Sequence, residues 1–356
     1  MESNQYITYF GSYSDKQSPG VHVYRFDEQS GELSYIDQVA GMLNPTFMTI
    51  SQDKGLLYTY TQADEGQDSG AILTFRIDAE TGKLALAGQQ PSLDKSATHI
   101  NLDGSESFAM TVSYSEGTIN LFPVLENGEV GALADKVRHE GASVVAKRQD
   151  SAHPHSIYTD PSDQFVIVPD LGMDKVMVYR LDRANGKFEP HDEVKLAPGA
   201  GPRHFAFQPD RKHAYVINEL DSTMTVFAFD EQAGKLEAVQ TISTLPEDFD
   251  GTSSCAEVQV SPDGSYLYGS NRGHDSIVVY AIDSASGKLT LVQHMSTGGS
   301  HPRHFSLTPS GQYLLAANKD SDSVHVFKVD RDSGKLAPTG HSVTLPQPTC
   351  VRFYKL

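Results

Sequence analysis

The 356-residue sequence predicts an all-β fold, a seven-bladed β-propeller with four antiparallel strands in each blade. Three observations lead to this prediction: a phrase that recurs seven times, a second turn signal upstream of it, and a C-terminal segment that completes the first repeat. Because every connection between repeats is then a loop between blades, we expect residues 1–356 to form a single domain.

The recurring phrase begins with an apolar run, continues with Asp and a few polar residues, and ends with Gly, a charged residue and Leu. Residues 26–33, for example, read FDEQSGEL, and residues 282–289 read IDSASGKL. The copies are spaced by about 50 residues, a period typical of four-stranded propeller blades. Their glycines are Gly31, Gly82, Gly128 in a degenerate copy, Gly186, Gly234, Gly287 and Gly334.

Two further patterns predict four strands in each repeat. Before the phrase, apolar residues alternate with a period of two, as in VHVY at residues 21–24, which is typical of a half-buried strand. Upstream, turns such as SPDG at residues 261–264 precede another strand. Each repeat therefore contains an inner strand A, a strand B after the proline turn, a strand C, and a strand D after the phrase.

We expect the two ends of the chain to close the ring. The sequence starts with a B strand at residues 5–9, and its last strand, residues 348–353, aligns with the A strands that begin at Pro202 and Pro302. The C-terminal strand would thus pair with the N-terminal blade and supply its missing inner strand. Such closure removes an exposed sheet edge.

Charge and composition exclude several classes of partner. The 28 Lys and Arg residues against 46 Asp and Glu residues give a net charge of −18, which repels nucleic acid and anionic membranes. No apolar run approaches the roughly 20 residues that span a bilayer, and residues 1–5 lack the features of a secretory signal. Two cysteines suit a reducing compartment. We therefore expect a cytoplasmic protein, a monomer or a weak homodimer, with neither nucleic acid nor membrane as partner.

The predicted topology gathers titratable residues at one end of the central channel. Antiparallel pairing places the start of each A strand beside the end of its B strand, so both open onto the same face. A basic, histidine-rich pit on such an acidic chain would attract small anions. The A strands contribute His153, His155, Arg203, His204, His301, Arg303 and His304, and the B strands contribute Asp170, Glu219 and Arg272.

Other interpretations of these residues stay open at this point. Each Pro-Arg-His segment is also compatible with simple packing and a salt bridge. His153 and His155 could belong to a zinc site, although flanking Asp or Cys ligands are missing. The segments 134–152 and 245–254 lead into A strands on the same face and are either lids or variable loops.

The motifs GAGPRHF at residues 199–205 and YVINEL at residues 215–220 resemble those of the seven-bladed lactonase family. The likeness extends to residues 153–156, 168–172, 261–264 and 271–273 and covers essentially the whole chain. The resemblance implies hydrolysis of a small anionic sugar lactone, above all 6-phosphoglucono-1,5-lactone, with no metal and no cofactor. It also implies a catalytic set of one histidine, for which we favour His155 over His153, together with Arg203, Glu219 and Arg272.

These residue types suit the hydrolysis of a cyclic ester. Glu219 or His155 would activate a water molecule as the general base. Arg203 with His204 would face the developing oxyanion. The remaining residues would bind substrate, with Arg272 and Arg303 on its phosphate group and His153, Asp170, His301 and His304 on other parts of it.

Two other functions would use the same face of the ring. A lactone-forming cyclase would bind an unsaturated dicarboxylate or tricarboxylate through the arginines, and a non-catalytic propeller would bind a protein. The cluster of titratable residues argues against the second, because protein-binding faces more often expose aromatic or apolar anchors. A calcium-dependent gluconolactonase is disfavoured because those enzymes resemble six-bladed rings, whereas seven repeats are present here.

Overall fold

The computed structural model describes residues 5–356, so residues 1–4, part of the segment that argued against a secretory signal, lie outside the described residues. Within residues 5–356 the chain forms seven four-stranded antiparallel sheets whose inner strands contact one another around a ring. The prediction of seven blades with four strands each is confirmed. No helix in this part of the chain is long and apolar enough to cross a membrane.

Blades 2 and 3 are contiguous in the chain, whereas blade 1 takes its inner strand from the C-terminal end. Blade 1 contains β1 (Gln5–Ser12), β2 (Val21–Asp27) and β3 (Glu32–Val39). Blade 2 contains β4 (Met48–Ser51), β5 (Leu56–Thr61), β6 (Ala71–Ile77) and β7 (Leu84–Pro91). Blade 3 contains β8 (His99–Leu102), β9 (Phe108–Ser113), β10 (Thr118–Pro123) and β11 (Asp135–Arg138).

The remaining blades follow the same order, with the first strand of each blade innermost. Blade 4 contains β12 (Tyr158–Thr159), β13 (Phe165–Asp170), β14 (Lys175–Asp182) and β15 (Lys187–Lys195). Blade 5 contains β16 (Pro202–Phe207), β17 (His213–Asn218), β18 (Thr223–Asp230) and β19 (Lys235–Ser243). Blade 6 contains β20 (Ser254–Val260), β21 (Tyr266–Arg272), β22 (Ser276–Ile282) and β23 (Leu289–Ser296). Blade 7 contains β24 (Pro302–Leu307), β25 (Tyr313–Asn318), a 3₁₀ turn (Lys319–Ser321), β26 (Ser323–Val329) and β27 (Leu336–Thr344), and β28 (Pro348–Lys355) ends the chain.

The ring is closed by the C-terminal strand, as predicted. β28 pairs antiparallel with β1, with Tyr9 opposite Arg352, and is the inner strand of blade 1. It also contacts the inner strands β24 and β4 on either side. The last strand therefore leaves blade 1 without an open inner edge.

Buried tyrosines join successive blades at glycines of the repeat. The Tyr9 hydroxyl of blade 1 donates a hydrogen bond of 2.8 Å to the carbonyl oxygen of Gly82 in blade 2. Gly82 has a φ of 76°, and a Cβ atom there would lie 2.7 Å from Ile7, so only glycine fits. The same bond runs from Tyr58 to Gly128, from Tyr215 to Gly287 and from Tyr268 to Gly334. These bonds satisfy buried hydroxyls and join successive blades.

Blade 3 departs from the expected pattern at its outer edge. The degenerate repeat around Gly128 is followed by β11, so residues 135–138 form a strand, not the start of a loop between blades as expected for the segment 134–152. The connection to blade 4 is therefore residues 139–157. Its Pro154 forms an isolated bridge with Asp170 at the end of β13.

The strand register brings the two most specific sequence motifs together. In blade 5, Pro202 at the start of β16 pairs with Asn218 at the end of β17. The residues that follow each of them, Arg203 and Glu219, therefore lie side by side at one end of the channel. The same register recurs in blade 7 between Pro302 and Asn318, which brings Arg303 to the same end.

Candidate active site

A cavity of about 530 Å³ opens at this end of the channel. Five of the predicted residues line it, namely His155, Glu219, Arg272, His301 and Arg303. The same cavity is also lined by Tyr13, Gln62, Tyr114 and Arg148. The predicted residues that meet here come from four different blades, so the ring itself assembles the site.

The Glu219 carboxylate is the centre of the charged network. Its Oε2 atom accepts a hydrogen bond from Arg203 Nε at 2.9 Å and forms a salt bridge with Arg272 Nη2 at 2.8 Å. Its Oε1 atom accepts a hydrogen bond from Arg148 Nη2. Burial on its own would raise the pKa of Glu219, but the three guanidinium groups outweigh it and lower the pKa far below the ordinary value. The carboxylate is therefore ionised throughout the physiological pH range.

Two of these arginines are fixed by the backbone of β20. The register of β20 against β21 shifts after Cys255, and the Ala256 carbonyl oxygen accepts a hydrogen bond of 2.7 Å from Arg203 Nη1. Arg272 Nη2 donates to the Cys255 carbonyl oxygen at 2.6 Å. Only 2% of the Arg203 side chain and 6% of the Arg272 side chain are exposed. Both guanidinium groups therefore hold Glu219 Oε2 in place.

Arg148 reaches Glu219 from the connection between blades 3 and 4. The backbone beside it is anchored by the fully buried Gln149, whose Nε2 atom donates to Leu171 O at 2.8 Å and to Asp174 Oδ1 at 2.6 Å. The Asp174 carboxylate also accepts hydrogen bonds of 2.7 Å from the backbone N–H groups of the turn that precedes Arg203, those of Gly199 and Gly201. One carboxylate thus joins the Arg148 segment to the Arg203 segment.

Arg303 reaches the cavity from blade 7. Its guanidinium group lies 5.8 Å from the centre of the Tyr13 ring. Within residues 5–356 it forms no salt bridge, whereas Arg148, Arg203 and Arg272 all pair with Glu219. Its neighbour His301 is neutral, because burial and the charge of Arg272 lower its pKa to about 4.

Three predicted residues lie deeper, below the large cavity. Arg203, His204 and His304 line a small cavity of about 10 Å³ together with His155 and Arg303. The Glu257 Oε2 atom lies 2.9 Å from His204 Nδ1 and 3.0 Å from His304 Nε2, so these two rings are held by a carboxylate. Burial lowers the pKa of both histidines well below the ordinary value. His204 and His304 are therefore neutral residues of the channel beneath the site.

His155 is the histidine that contacts both cavities. Burial and the neighbouring Arg203 lower its pKa well below the ordinary value, so the ring is neutral. Its Nδ1 atom is buried and has no hydrogen-bond partner among the described residues. A buried polar atom without a partner calls for a physical explanation, and a catalytic role or an ordered water molecule is one.

Two predicted substrate contacts lie behind the cavity wall. The His153 ring stacks on Tyr114 with 4.3 Å between ring centres, and its Nδ1 atom lies 2.7 Å from Tyr114 O. The fully buried Asp170 accepts a hydrogen bond from the His153 backbone N–H at 2.8 Å and lies 2.7 Å from His139 Nδ1. Neither His153 nor Asp170 lines the cavity. We therefore assign both to supporting the wall and not to contact with substrate.

Arg148 was missed as an individual residue by the sequence analysis, which only noted its segment as a lid or a variable loop. No repeat covers residues 139–157, so no register predicted that Arg148 would meet Glu219. The one available signal was the set of basic residues in this segment. In the part of the chain that the structure describes, no group of three or more His, Cys, Asp or Glu side chains is arranged to hold a metal ion.

The charges of the site favour anions. Four guanidinium groups, those of Arg148, Arg203, Arg272 and Arg303, line the large cavity or the small one beneath it, and three of them contact the Glu219 carboxylate. The surrounding histidines are neutral, so they add no further charge. An excess of fixed positive charge in a cleft attracts anionic ligands and can stabilise an oxyanion.

Comparison with known proteins agrees with this geometry. A family model described as a seven-bladed β-propeller lactonase matches residues 7–353. The 6-phosphogluconolactonase of Bacillus subtilis is 34% identical over 301 residues, which cover 85% of this chain and 84% of the relative. The 6-phosphogluconolactonase of Formosa agariphila is 33% identical over 305 residues, 84% of this chain and 85% of the relative. Among solved structures, the periplasmic gluconolactonase PpgL of Pseudomonas aeruginosa superposes with a TM-score of 0.92, at 33% identity, over 98% of this chain and 99% of that one.

Proposed function

The chain belongs to the seven-bladed β-propeller lactonase family, and we propose that it hydrolyses 6-phosphoglucono-1,5-lactone to 6-phosphogluconate. The observation that carries the proposal is Arg303, a cavity-lining arginine that forms no salt bridge in the described chain. A phosphorylated substrate would supply the anion that this arginine lacks. The names of the Bacillus subtilis and Formosa agariphila relatives support the same substrate.

The phosphate group is assigned to the blade 7 side of the cavity. Arg303 would bind it through its planar fork of N–H donors, with Tyr13 and His301 beside it. Arg272, the other arginine expected to bind phosphate, is already held by Glu219 and by the backbone of β20. We therefore assign Arg272 to the carbonyl oxygen of the lactone, next to Glu219.

Glu219 is the better candidate for the general base. Its Oε1 atom is the oxygen that the two fixed arginines leave free. In the proposed reaction this oxygen accepts a proton from water while the water oxygen attacks the carbonyl carbon, and Arg272 stabilises the oxyanion. The ring C–O bond then breaks, Glu219 returns the proton to the leaving oxygen, and the new carboxylic acid ionises. The neutral His155 would orient the attacking water.

The direct test is the initial rate of 6-phosphogluconate formation from freshly prepared lactone, with EDTA present, compared with the spontaneous rate. We expect a large acceleration that EDTA leaves unchanged, and a much smaller one with unphosphorylated gluconolactone. An equal acceleration of both lactones would instead match the name of the Pseudomonas aeruginosa protein. No acceleration of either would favour a lactone-forming cyclase or a binding propeller.

The proposal includes a cytoplasmic location and a small sugar lactone as the partner. The two cysteines, Cys255 and Cys350, are both buried and unpaired. Free thiols are common in reducing compartments. Measuring activity in cytosolic and extracytoplasmic fractions of cells that express the native gene would test this part of the proposal.

A further inference from the structure

We propose that Arg148 is a further catalytic residue, whose guanidinium group moves from Glu219 Oε1 to the carbonyl oxygen of the bound lactone. This inference rests on the proposed function. It assigns a role to a residue outside the predicted set and explains how a carboxylate surrounded by arginines can act on water.

The starting point is the occupancy of the two Glu219 oxygens. Oε2 is bound by Arg203 and Arg272, and Oε1 is bound by Arg148. A carboxylate whose oxygens all accept hydrogen bonds from cations is a poor proton acceptor. For Glu219 to take a proton from water, one guanidinium group has to leave first.

Arg148 is the arginine that is free to leave. Its side chain is 43% exposed, whereas those of Arg203 and Arg272 are 2% and 6% exposed and donate to the backbone carbonyl oxygens of β20. Besides Glu219, its guanidinium group has a hydrogen-bonding partner in the Tyr114 side chain, which also lines the cavity. When Arg148 moves it therefore leaves side-chain partners only, whereas Arg203 and Arg272 would also lose hydrogen bonds to the backbone.

The movement is confined to the side chain because the backbone around Arg148 is anchored. Gln149 is fully buried, and it bonds to Leu171 and Asp174. Ser143, on the other side of Arg148, donates to Asp174 Oδ2 at 2.5 Å. The segment is thus a fixed base from which a flexible side chain reaches over the cavity, and not a lid that opens as a unit.

The carbonyl oxygen of the bound lactone is the acceptor to which the Arg148 guanidinium group would donate after it leaves Glu219. If Glu219 activates the attacking water, the carbonyl carbon lies next to the carboxylate, and Arg148 lies on the same side of the cavity. As the oxyanion forms, it offers Arg148 a stronger acceptor than the neutral carbonyl did, so the contact strengthens in the transition state. Arg303, which reaches the cavity from blade 7, would remain on the phosphate group.

The test compares Arg148→Ala with Lys147→Ala, which removes a charge from the adjacent exposed position of the same segment. For Arg148→Ala we expect kcat to fall about a hundredfold or more, the loss that follows removal of one oxyanion donor, with little change in KM. The loss should be the same for phosphorylated and unphosphorylated lactone. Lys147→Ala should keep the kinetic constants of the wild type.

Chemical rescue separates catalysis from a structural role. Guanidinium ion added to Arg148→Ala at concentrations far below denaturing ones should restore a large part of kcat, and Arg148→Lys should retain more activity than Arg148→Ala. An Arg148→Ala variant with wild-type kcat would overturn the inference and leave the proposed function intact. The same holds for a variant whose only change is a higher KM for the phosphorylated lactone. A wild-type protein inert toward both lactones would overturn the proposed function and this inference together.

Discussion

Arg203 Nε and Glu219 Oε2 form a buried salt bridge of 2.9 Å between neighbouring strands of blade 5. Arg272 completes the arrangement from blade 6 at 2.8 Å from the same oxygen. Two guanidinium groups and one carboxylate are buried together here, so each charge offsets the free-energy cost of burying the others. Removing one partner leaves the remaining charges buried without compensation.

The first prediction concerns Glu219→Gln. This variant leaves Arg203 and Arg272 buried without a carboxylate, so we expect the free energy of unfolding to fall by about 3–5 kcal/mol and the lactonase kcat to collapse. Urea denaturation and initial rates measure the two effects. The control is Glu231→Gln, which breaks the exposed pair with Arg211 at 3.4 Å and should change stability by at most about 0.5 kcal/mol. Equal losses of unfolding free energy in the two variants would contradict the claim that the buried Glu219 network stabilises the fold.

The second prediction concerns pH and the channel histidine His99. Burial lowers its pKa well below the ordinary value, so the folded state keeps the ring neutral. As the pH falls below about 6.5, the unfolded chain binds a proton that the folded chain does not, and stability falls by up to about 1.4 kcal/mol per pH unit for this ring. Neither His99 nitrogen has a hydrogen-bond partner in the described chain, and the ring packs 4.1 Å from Phe47.

His99→Leu should therefore flatten this dependence. Urea denaturation between pH 5 and pH 7 would measure the slope of the unfolding free energy, which should decrease by up to about 1.4 kcal/mol per pH unit relative to wild type. The variant should also be more stable at pH 5 than the wild type, since an unpaired buried polar group is removed. An unchanged slope would show that the His99 ring already carries its proton in the folded state.

The third prediction concerns Asp174, which joins the Arg148 segment to the turn before Arg203. Asp174→Asn puts an N–H₂ group opposite backbone donors, so we expect a loss of about 1.5–3 kcal/mol in stability. Because both anchored segments carry site residues, kcat should fall as well. Asp192→Asn, in the outer strand β15, where the carboxylate accepts a single hydrogen bond from the Glu193 N–H group, is the matched control. A variant that is destabilised but keeps the wild-type kcat would show that Asp174 does not position the residues of the site.

Much of this architecture follows from sequence because it repeats. The spacing of the glycines predicts the blades, and four of these glycines accept an inter-blade hydrogen bond from a buried tyrosine such as Tyr9. The pairing of Arg203 with Glu219 follows from strand register, because each comes one residue after a residue of the Pro202–Asn218 pair. The local periodicity of apolar residues and the residue types of the turns are sufficient to predict these features.

The other features depend on contacts that no repeat encodes. Asp170 is the last residue of its B strand, the position that Asn218 holds in blade 5. Its carboxylate is bound by the His153 backbone and by His139, both from the irregular connection 139–157. Arg148 lies in that same connection. Sequence spacing predicts which strand end a residue occupies, whereas the packing of the connection decides whether its side chain faces the cavity.

The central claim is that Arg303 recognises the phosphate group, and its most direct test is Arg303→Gln assayed on both lactones. We predict that kcat/KM for the phosphorylated lactone falls about 10- to 150-fold, the value of a charge-assisted contact of roughly 1.5–3 kcal/mol. The unphosphorylated lactone should be hydrolysed at the wild-type rate, and the exposed Arg76→Gln in β6 should leave both activities unchanged. Equal losses on both lactones, or no loss on the phosphorylated one, would contradict the account.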